Sequence, residues 1–245
     1  MARRIAEQRL STNFVSILNL TLISVFGDSP MDKLNLASSH HCNAPLISTS
    51  QEYFEMYRRV ISELPHGAIE QATIELLRAY QNGKCVFIFG NGGSAALASH
   101  FACDLGKGTV MENNGHKRFR VMALTDNVAL VTAWANDRCY EHIFAEQLHN
   151  FVSPGDVAFA ISGSGNSPNV LRALEVARSA GATTIGLAGV EGGKMKNLCD
   201  VCIILPSNNM QIVEDFHLSV THAVFSVIRQ RISENSTAQS SAVGA

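Results

Sequence analysis

From Ser48 onward the apolar and polar positions fall into two periods. Residues 49–63 and 67–81 repeat apolar side chains every three or four positions, which predicts two amphipathic helices broken at Pro65-His66-Gly67. Beyond them, short apolar runs at 84–89, 119–124, 156–161, 183–187 and 201–205 read as strands. Helical segments separate them: one from a Gly-rich turn to about Gly106, others at 127–135, 140–150 and 167–180, and a long one from about Gln211 to Ile232. Strands alternating with helices predict an α/β fold, a three-layer α-β-α sandwich on a five-stranded parallel sheet preceded by a helical pair. Ligands of such sheets bind outside the carboxyl ends of the strands.

The flanks differ from this pattern. Residues 1–47 are expected to be a poorly ordered extension to a domain spanning 48–232, and the Ser/Ala/Gly-rich 233–245 a disordered tail. Arg3 and Arg4 precede an apolar stretch from Asn13 to Phe26, which invites comparison with a signal peptide. Glu7, Asn19 and Thr21 interrupt that pattern and no small-x-small cleavage site follows, so the extension is read as non-secretory, with Met31 as an alternative start.

The 245 residues are 46% hydrophobic and 16% charged, a balance that supports a packed core and argues against disorder. The formal charge is −2 with no basic stripe, which argues against direct nucleic-acid binding. No apolar run is long enough to span a membrane, and the chain reads as cytoplasmic. The six cysteines (Cys42, Cys85, Cys103, Cys139, Cys199 and Cys202) lack a disulfide-framework spacing and are read as reduced thiols without redox or metal roles. Cys199 and Cys202 form C-x-x-C, but they flank an expected strand, where an offset of three would set their side chains on opposite faces.

Two turns carry the chemistry. Phe89-Gly90-Asn91-Gly92-Gly93-Ser94 follows an apolar strand, and its glycines let a backbone approach an anion at a helix N-terminus. Ile161-Ser162-Gly163-Ser164-Gly165-Asn166-Ser167-Pro168 also links a strand to a helix, with Ser167 at an N-cap position and Pro168 at N1. Serine hydroxyls with N-terminal amides can hold a phosphate monoester without a cation. One such turn alone can be merely structural; two on one sheet point to a ligand.

These turns, with Ala123-Leu124-Thr125-Asp126-Asn127 between them and Gly192-Gly193-Lys194-Met195 after, resemble the SIS fold and in particular the bacterial phosphoheptose isomerases, over roughly residues 50–232. The resemblance implies that Asn91, Gly92, Gly93 and Ser94 contact substrate and that Thr125 and Asp126 line the sugar. It assigns the phosphate to Ser162, Gly163, Ser164 and Ser167. The family's second loop reads S-T-S-G-N-S, so Gly163 departs from it by one hydroxyl.

His100 and Asp104 stand at i and i+4 on one helix, and Glu214 and His222 at i and i+8 on another. Either pair alone is an ordinary helix-surface feature. The family carries zinc on His and Glu of the first helix and Gln and His of the last, which implies one divalent ion per subunit on His100, Asp104, Glu214 and His222. Asp104 and Glu214 are both departures from that set. By resemblance the carboxylate at 104 is the base and His222 the acid, with Glu214 a further catalytic and substrate-binding candidate. The implied reaction is D-sedoheptulose 7-phosphate to D-glycero-D-manno-heptose 7-phosphate in a homotetramer, at the entry to bacterial surface-heptose synthesis. The alternative is a non-catalytic SIS protein of the replication-initiator-associating type, which lacks the final-helix histidine. His217 lies off the 214–222 ridge and reads as structural.

Overall fold

The computed structural model describes residues 47–110 and 117–243, apart from the side chains of 190 and 236–243. The expected extension at 1–47 falls outside these residues save for Ile47. Helices α1 (Ser50–Ser62) and α2 (His66–Gln81) lead into β1 (Cys85–Gly90), α3 (Gly93–Gly108), β2 (Arg120–Ala123), α4 (Val128–Asp137) and α5 (Ala145–Phe151). Then come β3 (Val157–Ser162), α6 (Pro168–Ser179), β4 (Thr183–Ala188), β5 (Val201–Ile204) and α7 (Met210–Val243). The five strands form one sheet in the order β2-β1-β3-β4-β5, and every pair is parallel.

Side-chain alternation along the strands builds the two outer layers. Val86 and Ile88 of β1 face a core shared with Leu76 of α2, Phe101 of α3 and Phe216 of α7. Phe87 and Phe89 face the other way, toward Phe144, Leu148 and Leu174. All of these are essentially fully buried, and each such aromatic or aliphatic side chain contributes about 1.5–3 kcal/mol through removal from water. Helix α1 buries only Val60 fully. It is tied to α7 by the Tyr53 hydroxyl donating to Asp215 Oδ2 at 2.5 Å, a Tyr57–Ser219 hydrogen bond of 3.0 Å, and Tyr57 stacked on Phe216 at 4.2 Å. No described helix is long and apolar enough to cross a membrane.

Three differences from the sequence reading have local causes. The helix expected at 140–150 is broken into a 3-10 turn at Tyr140–His142 and the shorter α5. Ile143 and Phe144 are both buried between them, whereas successive residues of a continuous helix point about 100° apart. Helix α7 does not stop at Ile232 but continues to Val243, because Ser233–Val243 holds neither Gly nor Pro to end it. The backbone of the expected disordered tail is therefore helical through that span. Finally, β5 begins at Val201 as expected, but Cys199 lies in the turn before it, and its Sγ and that of Cys202 both face Gly186, 2.7 and 3.3 Å from where a Cβ would be. The expected placement of the two side chains on opposite faces does not hold.

Candidate active site

The register brings the carboxyl ends of four strands together. Gly90 pairs with Ile161, Ser162 with Ala188, and Ile88 with Ala123, so the turns after β1, β2, β3 and β4 leave the sheet side by side. At the first turn Gly92 caps α3 with φ of +56°, a conformation that glycine adopts without strain. The turn closes on itself, with the Ser94 and Ala95 N–H groups donating to Asn91 O and Gly92 O at 3.0 Å each.

The second turn is held by its own backbone and by its neighbours. Gly165, at φ of +62°, donates its N–H to Ser162 O at 3.0 Å, and Gly189 N–H donates to Gly163 O at 3.0 Å. Ser167 is the N-cap of α6 and Pro168 its first residue, as the sequence predicts. Its hydroxyl does not cap the helix; it lies 3.3 Å from the Ser162 hydroxyl, so both oxygens are grouped above the N-terminus of α6. Ser164 is partly committed to the turn, since its Oγ accepts from Asn166 N–H at 3.2 Å. At Gly163 a Cβ would meet Met210 Sδ at 2.4 Å. The Met210 thioether occupies the space that a threonine would need.

Asn91 joins the two turns. Its amide exchanges hydrogen bonds with buried Asn169 at 2.9 and 2.8 Å and accepts a third from the Tyr140 hydroxyl at 3.0 Å. The side chain expected to contact substrate thus serves as a crossbeam, and the sequence reading missed Asn169 and Tyr140 as its partners. Asn169 could have been found as a polar residue directly after the Ser-Pro helix start; Tyr140 offered no local signal. In the third turn Thr125 and Asp126 are bound to α3 by Ser99, whose hydroxyl donates to Asp126 Oδ1 and lies 3.3 Å from Thr125 Oγ1. Ser99 was also missed, although it immediately precedes His100.

Helices α3 and α7 bring three of the four expected ligands together. His100 Nε2 lies 2.9 Å from His222 Nε2, and Asp104 Oδ2 lies 3.4 Å from the first and 3.8 Å from the second. All three donor atoms fall within 4.8 Å of one another. Two imidazole nitrogens and a carboxylate oxygen at this spacing fit a divalent transition ion, zinc among the most compatible. Glu214 stands apart from this set. Two turns from His222 along α7, its carboxylate lies against Gly93, 3.3 Å from where a Cβ would be. It lines a cleft of about 270 Å³ with Gly93, Ser94, His100, His217 and Leu218. No ion pair among the described residues engages it.

His217, expected to be structural, forms the floor of that cleft and is 1% exposed. Burial pushes its pKa down to about 4, opposed by the nearby carbonyl of Ala188. Neither ring nitrogen has a well-aligned hydrogen-bond partner, so the ring is a neutral imidazole at pH 7.

Comparison with known proteins places this arrangement. Residues 52–189 match the SIS domain family. A phosphoheptose isomerase of Trichlorobacter lovleyi is 40% identical over 180 residues, 74% of this chain and 90% of its own. The solved phosphoheptose isomerase of Neisseria gonorrhoeae superposes with a TM-score of 0.67 at 30% identity, covering 74% of this chain and all of the other. That of Francisella tularensis gives 0.68 at 30% identity over 74% of this chain and 96% of its own.

Proposed function

The chain belongs to the phosphoheptose isomerase family of SIS-domain proteins, and from that premise we propose that its site converts D-sedoheptulose 7-phosphate to D-glycero-D-manno-heptose 7-phosphate. The observation that carries the reading is the convergence of His100 and Asp104 of α3 with His222 of α7 beside the cleft under the first Gly-rich turn.

Aldose–ketose isomerisation moves a proton between the two carbons flanking an enediol, which needs a base and a stabiliser of the developing oxyanion. The phosphate sits above the N-terminus of α6, held by the hydroxyls of Ser162, Ser164 and Ser167. This leaves C1 and C2 of the sugar to reach toward α3. Thr125 and Asp126, fixed by Ser99, line the sugar chain. His100, Asp104 and His222 would hold a divalent ion, most compatibly zinc, which when bound would polarise the substrate oxygens.

Asp104 and Glu214 divide the carboxylate chemistry. Asp104 is turned toward the two histidines, whereas Glu214 faces the cleft with no cationic partner among the described residues. Glu214 is therefore the second candidate base and a contact for sugar hydroxyls. His222 presents one nitrogen, Nε2, to both His100 and Asp104, so it serves as ligand or as proton donor at any one moment. The enzyme works in the cytoplasm as a homotetramer, with exposed Phe54 and Ile61 of α1 covered by neighbouring subunits; a stable monomer by light scattering at assay concentration would rule out that assembly.

The decisive test is incubation with sedoheptulose 7-phosphate before and after chelator treatment. Conversion that a chelator abolishes and zinc restores supports the reading. A metal-free protein that binds the sugar phosphate without turning it over supports the non-catalytic alternative.

A further inference from the structure

The segment Cys199-Asp200-Val201-Cys202 forms the entry to β5 and takes no part in the isomerase chemistry. Asp200 pins it to β4. Its Oδ2 accepts from the Thr184 N–H at 2.8 Å and from the Thr184 hydroxyl at 2.9 Å, and its own N–H donates to Thr184 O at 2.9 Å. Thr184 is fully buried and its hydroxyl also reaches Leu198 O at 2.9 Å. Held this way, the turn directs both thiols at Gly186 of β4. A Cβ on Gly186 would lie 2.7 Å from Cys199 Sγ and 3.3 Å from Cys202 Sγ, so the absent side chain leaves the space that the two sulfurs share. Both cysteines are half-buried, Cys202 on β5, the edge strand paired with β4, and Cys199 in the turn before it.

We propose that Cys199 and Cys202 form a reversible dithiol–disulfide modification site whose oxidant is a low-molecular-weight disulfide such as glutathione disulfide. The Cys202 thiolate attacks one sulfur of the small disulfide, forming a mixed disulfide and expelling one small thiolate. Cys199 then gives up its proton and attacks the Cys202 sulfur, closing the intramolecular bond and releasing the second small thiolate. Two protein thiols are oxidised, one small disulfide is reduced, and the two protons end on the released thiols. The surroundings of the two thiols set the order of attack: Cys199 and Lys196 favour the charged form of Cys202, whereas Cys202 and burial hold Cys199 protonated.

The stretch just before this segment, Lys194-Met195, clamps the second Gly/Ser turn. Met195 N–H donates to Gly165 O at 2.9 Å, and Lys194 N–H donates to Asn166 Oδ1 at 3.0 Å. Met195 Cε also lies 3.1 Å from the Gly186 Cβ position, beside Cys199. Bringing the sulfurs to a bond length of about 2.05 Å draws Cys199 toward Cys202 and pulls on the short 3-10 turn Met195–Asn197 before it. Oxidation thereby loosens the loop and weakens its hold on phosphate. This consequence, unlike the disulfide itself, rests on the phosphate assignment made above.

The test uses the full chain equilibrated with glutathione disulfide, digested without reductant and read by peptide mass. The expected product is a Cys199–Cys202 linkage that dithiothreitol reverses. In Cys199→Ser the expected product is a glutathione adduct on Cys202. Oxidised protein should show a several-fold higher KM for the sugar phosphate, restored by dithiothreitol. No linkage in the folded wild-type protein, or a lasting glutathione adduct on either cysteine in its place, overturns the site. A linkage with unchanged KM overturns the coupling to the loop. Because the linkage is read by mass, a protein without isomerase activity still decides it.

Discussion

The Nε2 atoms of His100 and His222 stand 2.9 Å apart although 122 residues separate them. Two imidazoles facing each other through the same nitrogen must share a proton or a cation, and Asp104 Oδ2 beside both supplies the negative charge that a cation needs. The purified protein is expected to carry one divalent ion per chain. His222→Ala should lower metal affinity by at least about 10–100-fold, the scale seen even for groups that only support a ligand, and should abolish turnover. Metal analysis after dialysis against a chelator checks the first effect, and a heptose-phosphate assay the second.

The paired hydroxyls of Ser162 and Ser167 face the place assigned to the phosphate, and neither is spent on capping α6. A hydrogen bond to a charged group contributes about 1.5–3 kcal/mol. Ser167→Ala should therefore raise KM by about 10–100-fold with little change in kcat. Ser164→Ala should also raise KM but lower stability, because Ser164 Oγ supports the Asn166 amide. A KM that stays put in Ser167→Ala would move the anion elsewhere.

Gly163 and Met210 compete for one space. Restoring the family's threonine, Gly163→Thr, should cost about 1–3 kcal/mol through overpacking, read as a lower midpoint of urea unfolding. Combined with Met210→Ala the cost should shrink, and KM should fall below that of the wild type because a hydroxyl is regained. Strict additivity of the two substitutions in a double-mutant cycle would show that they do not share that space.

The layers and turns of this fold were legible because each is written locally, whereas the strand order β2-β1-β3-β4-β5 is set by long-range pairing and was not. Alternation in Val86-Phe87-Ile88-Phe89 fixes which residues face which layer, and Ser167-Pro168 marks a helix start within two positions. The convergence of His100 and His222 was not written locally; helical spacing put each in its pair, and only family resemblance joined the pairs. Asn91 shows the opposite limit. Its position in the turn was correct, but its amide is consumed by Asn169 and Tyr140, partners far away in sequence. The facing of Cys199 and Cys202 was missed although β5 starts at the expected Val201, because the alternation rule holds only within a strand and Cys199 lies in the turn before it.

Buried His217 sets an acid limit on stability. Its folded-state pKa of about 4 lies below the ordinary value of 6.5, so the unfolded chain binds the proton more readily. The contribution is fully present above about pH 6.5, declines as pH falls, and is lost by about pH 4. A shift of this size corresponds to about 3 kcal/mol. His217→Leu should flatten that part of the stability–pH curve, measured by urea unfolding between pH 7 and 4.5, relative to wild type. An unchanged slope would mean that the imidazole gains a partner as it protonates.

Asp104 and Glu214 occupy different parts of one site: Asp104 against the histidine pair, Glu214 over Gly93 in the cleft. The family resemblance implies a longer Glu at the first position and a neutral Gln at the second. A base shortened by one methylene reaches its proton poorly, and a misplacement near 1 Å can cost about 100-fold. A second carboxylate facing the same cleft compensates if it shares the proton transfer. Glu214→Gln is therefore expected to lower kcat by about 10–100-fold, although it restores the family's usual residue. Metal content should largely survive, because His100, Asp104 and His222 remain. Adding Asp104→Glu to Glu214→Gln should recover part of kcat, since the longer side chain again carries the base to the substrate. Asp104→Asn should instead lose both metal and turnover. Full kcat in Glu214→Gln alone would show that Asp104 suffices and that Glu214 is a wall of the cleft; loss of the ion in that variant would show that Glu214 swings from Gly93 to complete the ligand set.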